Sequence, residues 1–497
     1  MTVPLAGSDP NAIRAAIVAS LPADTAVPLP HQQLYLPWTH HKALQLECSL
    51  VIGTRGVGKT VWATALLASH DHQLAEAMPR MLFPDPLRTV AGFSDRDHNS
   101  HPPTPVFDAL MRDQVDPYNI WLAIVLRSLP TGSTPFPLES WAASAAWVGE
   151  HLEEAWAVIS QANQALGTTN THQLFVFDAL DRVSRDGNWL HVSAAIKALL
   201  RLVLELKNFK YLHAKVFLRT DQYNRGNFAD LPDIAKIRAT RVELLWSLLD
   251  LHALFWQCLG NGPPSAERDA FRTWCLQSSP ASLFESPGEA RWELPLPVQQ
   301  DEPVQRQLFE RLAGRRMGSG TRRGVPYTWI VNHLADAQGQ ATPRSFLTTL
   351  RQAAEVSLLR YRDAEPILHY EALKLGVRAA SEIRIAELEE DHPWLPALMH
   401  PFAERRALVP LTEDDFVLVL NEAFGDIPEA IPGLADRLPK DLRHQGVVGL
   451  ITYLAQLGLL TPMQNQRLNM PDLYRIGFKL GRRGGIKPVP RTITQPQ

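Results

Sequence analysis

Three stretches of the chain carry apolar residues in nearly unbroken runs: Cys48–Ile52, Gln173–Phe177 and Ala214–Leu218. Runs of that kind suit central strands of a parallel sheet, which are covered on both faces. A further strand is predicted over Leu87–Phe93. Between the last two runs, Trp189, Val192, Ile196, Leu199, Val203 and Leu206 recur at helical spacing, so a helix packs its apolar side as core. That alternation of strand and helix is the signature of parallel crossover units. Beyond Arg241 the pattern turns helical, with helices predicted over Val242–Cys258, Pro264–Gln277, Val304–Leu312, Tyr327–Ala337 and Pro343–Leu359. The last has a clear start, Thr342 as N-cap and Pro343 at the first helical position, and a stripe of Phe346, Leu347, Leu350, Ala354 and Leu358. Further on, a helix after Thr412 and another over Gln445–Leu457 precede a turn at Gly458 and the segment Arg467-Leu-Asn-Met. Helices followed by a hairpin suggest a winged helix.

The first apolar run leads into Gly53-Thr54-Arg55-Gly56-Val57-Gly58-Lys59-Thr60, and the residues after Thr60 form helices well. Strand, glycine loop and helix in that order make a Walker A phosphate loop. The loop amides cradle phosphates at a helix N-terminus, Lys59 reaches the β and γ oxygens, and the Thr60 hydroxyl ligates Mg²⁺. The strand Gln173–Phe177 ends in Asp178, which reads as a Walker B carboxylate holding the Mg²⁺ shell. The expected fold is therefore α/β: a P-loop NTPase parallel sheet sandwiched by helices, followed by an α-helical lid and a C-terminal mostly helical domain. We divide the chain into an N-terminal extension (1–40), a P-loop core (41–245) with a helical insertion around 106–166, a lid (246–365) and a C-terminal winged-helix-like domain with a basic tail (366–497).

With 497 residues the chain has room for several cores, and its net charge of -3 gives no global attraction to nucleic acid or membrane. Three cysteines without paired spacing favour a reducing cytoplasm and argue against a zinc site. No apolar run reaches the length of a spanning helix, so no membrane role is expected.

The Walker A loop, the Asp178-Ala-Leu-Asp181-Arg182 element and the strand ending in Leu218-Arg219-Thr220-Asp221 resemble the additional-strand P-loop ATPases, specifically the bacterial branch near the AAA+, KAP and STAND groups. The resemblance covers about 44–223. It implies that the polar residue after the third run, Thr220 or Arg219, is a sensor of the γ-phosphate. It also implies that Arg344, in the first turn of a lid helix, contacts that phosphate, since a cation at a helix N-terminus fits an anion nearby; the alternative is an exposed helix-start arginine. One departure stands out. These ATPases place a second acid directly after the Walker B aspartate, and Ala179 occupies that position. Asp181 is the available general base; alternatively it pairs with Arg182 or Arg185.

ATP is favoured because no guanine-recognition motif occurs, and Tyr35 and Trp38 either stack on adenine or simply pack. The loop from Arg311 to Gly324 carries Arg315, Arg316, Arg322 and Arg323, which serve as an arginine finger for a neighbouring copy, bind nucleic acid, or are merely solvated. Arg238 and Arg241 compete for the finger role. Glu387, Glu389, Glu390 and Asp391 read as a solvated helix end. The tail from Leu473 carries Arg475, Lys479, Arg482, Arg483, Lys487 and Arg491 without an acid, a surface for nucleic acid or for a protein partner, or a solubility segment with no binding role. The leading expectation is an ATPase that couples MgATP to conformational change or self-association through its ATPase domain and signals to a partner protein or DNA. The alternatives are a nucleotide-gated scaffold with little turnover, and an ATP-controlled nucleic-acid adaptor.

Overall fold

Each predicted strand forms, and the three apolar runs form the sheet's interior. In the computed structural model β1 (Leu50–Gly53), β2 (Leu87–Phe93), β3 (His172–Phe177) and β4 (Leu212–Arg219) are joined by β5 (Val242–Glu243) in the order β2-β3-β4-β1-β5, all neighbours parallel. The structure describes residues 9–483 except 24–28, 69–82, 96–98, 131–135, 186–188, 227, 229–230, 279–290, 426–430, 432–433, 435–437 and 439. β1 is buried along its whole length, and β3 everywhere but at His172. β4 lies between β1 and β3. Its register sets Gly53 opposite Arg219.

β5 corrects the sequence reading, which ran a helix from Val242 to Cys258. Val242 and Glu243 pair with Val51 and Ile52 instead, and the helix spans Leu248–Gly260. Ser247 caps it, accepting from the Asp250 amide while Asp250 returns a bond to the Ser247 amide, so the helix begins there.

By its internal contacts the chain divides into two compact units, 28–245 and the pair of segments 1–27 with 246–497. In the first unit, the insertion supplies four helices, Thr104–Arg112, Pro117–Ser128, Trp141–Glu150 and Leu152–Thr168. They join the core directly: Trp121 is fully buried, meets Phe93 and Phe177 edge to face, and donates its indole N–H to the Ala195 carbonyl at 2.8 Å. The helix Trp189–Leu206 buries Val192, Ile196, Leu199, Val203 and Leu206 as its spacing predicts. Lys215, fully buried on β4, donates to the carbonyls of Ala43, Gln45 and Cys48 at 2.6, 2.8 and 2.6 Å and so fixes the segment that enters β1.

The second unit takes in the helix Pro10–Ser20, where the sequence reading had a separate extension over residues 1–40. The reason is Arg14, fully buried, whose guanidinium donates to the carbonyls of Ile367, Arg362, Ala364 and Pro366 at 2.7–3.1 Å. The same unit holds the helices Glu302–Ala313, Pro326–Leu334, Pro343–Arg360 and Tyr370–Asp391. Near its end a three-stranded antiparallel sheet forms from Leu411–Thr412, Arg467–Asn469 and Thr461–Met463, the hairpin following the helix Gly446–Gln456. Among the described residues no helix is long and apolar enough to cross a membrane.

Candidate phosphate-binding site

The loop between β1 and the helix Lys59–Leu67 needs its glycines for conformation and for space. Gly56 and Gly58 take left-handed backbone angles (φ 82° and 103°), and a Cβ on Gly53 would stand 2.6 Å from the Val57 side chain. Lys59 folds back over the loop and donates to the carbonyls of Gly53 and Thr54, both at 2.9 Å. Burial pushes its ammonium down to about 8; Arg219 lowers it further, while Asp178, Asp221 and Asp181 act in the opposite sense. Two cations and three carboxylates thus share one electrostatic neighbourhood.

Asp178 closes the site from β3. It is buried, with 5% of its surface exposed, and its amide donates to Phe93 on β2 at 2.9 Å. Burial raises its pKa against the opposing pull of the Thr60 hydroxyl, which bonds to it, and of Lys59. The structure therefore brings together the two residues expected to share Mg²⁺. A hydroxyl and a carboxylate oxygen side by side are a hard-oxygen pair of the kind Mg²⁺ takes alongside phosphate and water.

Directly after Asp178, Ala179 adopts a left-handed conformation (φ 55°), an uncommon state for a residue with a Cβ. The chain turns there into a short helical turn, Leu180–Val183, on which Asp181 is exposed. The alternative pairing of Asp181 with Arg182 or Arg185 is not found among the described residues. Arg182 faces Asp95 at 3.8 Å, and the Arg185 amide donates to Asp108 at 3.3 Å.

At the end of β4, Arg219 makes a two-pronged pair with Asp221, Nε to Oδ1 and Nη2 to Oδ2, both at 3.0 Å. Thr220 opens the helix Thr220–Arg225, and its hydroxyl is buried with no hydrogen-bond partner among the described residues. Asp221 is the site residue to which the sequence reading gave no role. Its signal was present in the Arg219-Thr220-Asp221 run, where an arginine and an acid two residues apart can meet across a helix start.

Of the two aromatic candidates, Tyr35 is buried and packs, while Trp38 is 77% exposed and leans on His41 with ring centroids 5.0 Å apart. Arg241 lies over the ring of Tyr223 at 4.9 Å, and Arg238 is exposed.

In the second unit Arg344 stands in the first turn of its helix as expected, in an ion pair with Glu387. Glu387 is buried and also bonded by Arg384 at 3.1 Å, which corrects its reading as part of a solvated helix end. In the arginine loop Arg322 and Arg323 are exposed, Arg315 faces Glu310 at 3.7 Å, and Arg316 donates to the Arg323 carbonyl at 3.2 Å. The basic tail is also altered in part. Asp472, just before it, pairs with Arg475 at 2.7 Å and Arg482 at 2.6 Å, and Asp415 faces Arg483 at 3.6 Å. Lys487 and Arg491 lie outside the described residues.

No family model and no curated protein matches the chain. Among solved structures it is similar to the Aeropyrum pernix ORC2 protein in ADPNP and ADP complexes, at 13% identity and a TM-score of 0.43, covering 91% of this chain and 95% of that one. It is also similar to the Aeropyrum pernix ORC1 protein in complex with DNA, at 12% identity and a TM-score of 0.34, covering 93% and 95%. A third, Cdc6p from Pyrobaculum aerophilum, matches at 13% identity and a TM-score of 0.28, covering 87% and 86%. At these values the functional reading rests on the site's own geometry.

Proposed function

We propose that the 28–245 unit binds a nucleoside triphosphate, ATP, with Mg²⁺ at the β1 loop, and that binding or slow hydrolysis drives a conformational signal. One observation carries this reading: the Thr60 hydroxyl is bonded to the buried Asp178 beside Lys59, on a loop whose two left-handed glycines open its amides to a phosphate. The amides from Thr54 to Thr60 bind the phosphate chain, and Lys59 exchanges the Gly53 and Thr54 carbonyls for phosphate oxygens. Thr60 and Asp178 would hold Mg²⁺, which would supply charge neutralisation at the phosphates. Thr220, with its buried hydroxyl, and Arg219 act at the terminal phosphate, and Asp181 orients water. Trp38 is the candidate for the adenine ring. Arg238, Arg241, Arg322 and Arg323 are the arginines that act on a second copy.

The switch reading has its own support. Ala179 supplies no second acid, and its left-handed backbone carries the chain to Asp181 on an exposed turn. The nucleic-acid reading keeps the hairpin after Gly446–Gln456, read as a winged helix, but Asp472 and Asp415 take up Arg475, Arg482 and Arg483. Signalling to a protein partner from a cytoplasmic location is accordingly preferred.

The test is nucleotide binding and multiple-turnover phosphate release by wild type and Lys59→Ala. Lys59-dependent binding with turnover supports the ATPase, and Lys59-dependent binding without turnover supports the switch. Equal binding by both proteins sinks the reading.

A further inference from the structure

Arg219 and Asp221 stand where β4 leaves the sheet, at the level of the glycine that opens the phosphate loop. Gly53 and Arg219 are register partners, so β4 ends level with the start of the loop, and the helix Thr220–Arg225 that carries Asp221 begins there. The Arg219 side chain is 15% exposed and that of Asp221 is 28% exposed, and the two-pronged contact fixes the guanidinium plane through Nε and Nη2. A long arginine side chain gives up much rotamer freedom on binding an anion unless something already holds it. The Arg219 amide is bonded as well, to the Gln222 side chain at 3.0 Å, so the backbone from which the arginine springs is fixed along with its tip.

We propose that Asp221 is a positioning residue: it pre-orients Arg219 for the terminal phosphate of a nucleoside triphosphate, and so sets the preference for triphosphate over diphosphate. This rests on the nucleotide reading above. A charge-assisted bond to the phosphate that distinguishes ATP from ADP acts on one ligand and not the other, and a carboxylate that holds the donor in place inherits that selectivity. Carboxylate and phosphate both match the planar fork, so Asp221 occupies one edge of the guanidinium while the phosphate is met by another.

Calorimetric titration of the full chain with Mg²⁺-AMP-PNP and with Mg²⁺-ADP tests this, using wild type, Asp221→Asn, Arg219→Ala, the double variant and Lys59→Ala. The wild type is expected to prefer AMP-PNP. Asp221→Asn is expected to lose about tenfold of that preference, with ADP affinity changed less than about twofold. Arg219→Ala should lose at least as much, and the double variant no more than Arg219→Ala alone, because one residue acts through the other. Asp221→Glu, which keeps the charge one methylene further out, should fall between wild type and Asp221→Asn, and it provides a folded variant if Asp221→Asn is lost to instability. An unchanged preference in the Asp221 variants, losses that add in the double variant, or a wild type without preference overturns the inference while leaving nucleotide binding intact. Equal binding by wild type and Lys59→Ala overturns the nucleotide reading and this inference with it.

Discussion

Lys59 donates its ammonium to two carbonyls of its own loop. Burial, with Arg219 second, brings its pKa from 10.5 to about 8. The sign of the consequence differs for folding and for binding. Between about pH 8 and the unfolded value near 10.4, the unfolded chain holds a proton that the folded chain has released, so stability attributable to Lys59 rises with pH across that window. A triphosphate needs the charged form, so binding must restore the proton there. ATP affinity is expected to be level below pH 8 and to fall about tenfold per unit above it, with close to one proton taken up at pH 9. Titration calorimetry in two buffers of different ionisation enthalpy measures that uptake. Lys59→Arg should remove the slope, and a wild-type affinity that is flat from pH 7.5 to 9.5 would show that Lys59 keeps its proton across that range.

At the scale of elements, β4 has to fill an interior place in the sheet and carry site residues at its end. Val216, Phe217 and Leu218 are buried, and Lys215 among them is buried too, satisfied by three carbonyls from the segment before β1. Lys215→Met keeps the length of the side chain but leaves those carbonyls without their donor. The expected loss is about 1–3 kcal/mol of unfolding free energy, the usual cost of stranding a buried polar group, read as a lower urea midpoint at unchanged slope. A midpoint equal to wild type would mean that the strand is held by its apolar neighbours alone. Elements were legible in the sequence where one local cause decides them. Apolar runs gave the interior strands, Thr342 with Pro343 gave a helix start, and glycine spacing gave the phosphate loop. They were not legible where a distant partner decides. Val242–Glu243 looks helical by composition but is claimed by β1, and the Pro10–Ser20 helix is claimed by carbonyls some 350 residues away through Arg14. Asp221 was legible as a residue but not as a partner, because nothing in the string says that Arg219 turns back towards it.

For the whole molecule, both units depend on histidines kept neutral inside. His40 belongs to the first unit, gives Nε2 to the Leu245 carbonyl at 3.0 Å, and burial brings its pKa down to about 4. His252 belongs to the second unit. It is fully buried, it meets Tyr327, Phe309 and Phe346 with ring centroids 4.1–5.0 Å away, and burial brings it down to about 3. Their unfolded values lie near 6.5, so on acidification the unfolded chain takes up protons that the native chain refuses. The stability they support is complete above pH 6.5, falls as pH drops towards 4, and for His40 levels off below that. Two carboxylates work the other way: Asp178 and Asp336 are raised by burial, so on acidification the native state takes up their protons before the unfolded chain does and gains stability. Asp472, held below its ordinary value by Arg475, His333 and Arg482 despite its burial, adds a further loss at the acid end. Each histidine is expected to cost about 1.4 kcal/mol per pH unit once its unfolded form is fully charged. Replacing His252 with Phe keeps the aromatic packing, gives up the bond to the Tyr327 carbonyl, and removes the titration. Urea unfolding at pH 7 and pH 5 should therefore show a smaller acid loss for His252→Phe than for wild type, whatever the offset between the two proteins at pH 7. An equal acid loss in both would mean that His252 titrates alike in folded and unfolded chains, and that its burial does not bring the second unit's stability under the control of pH.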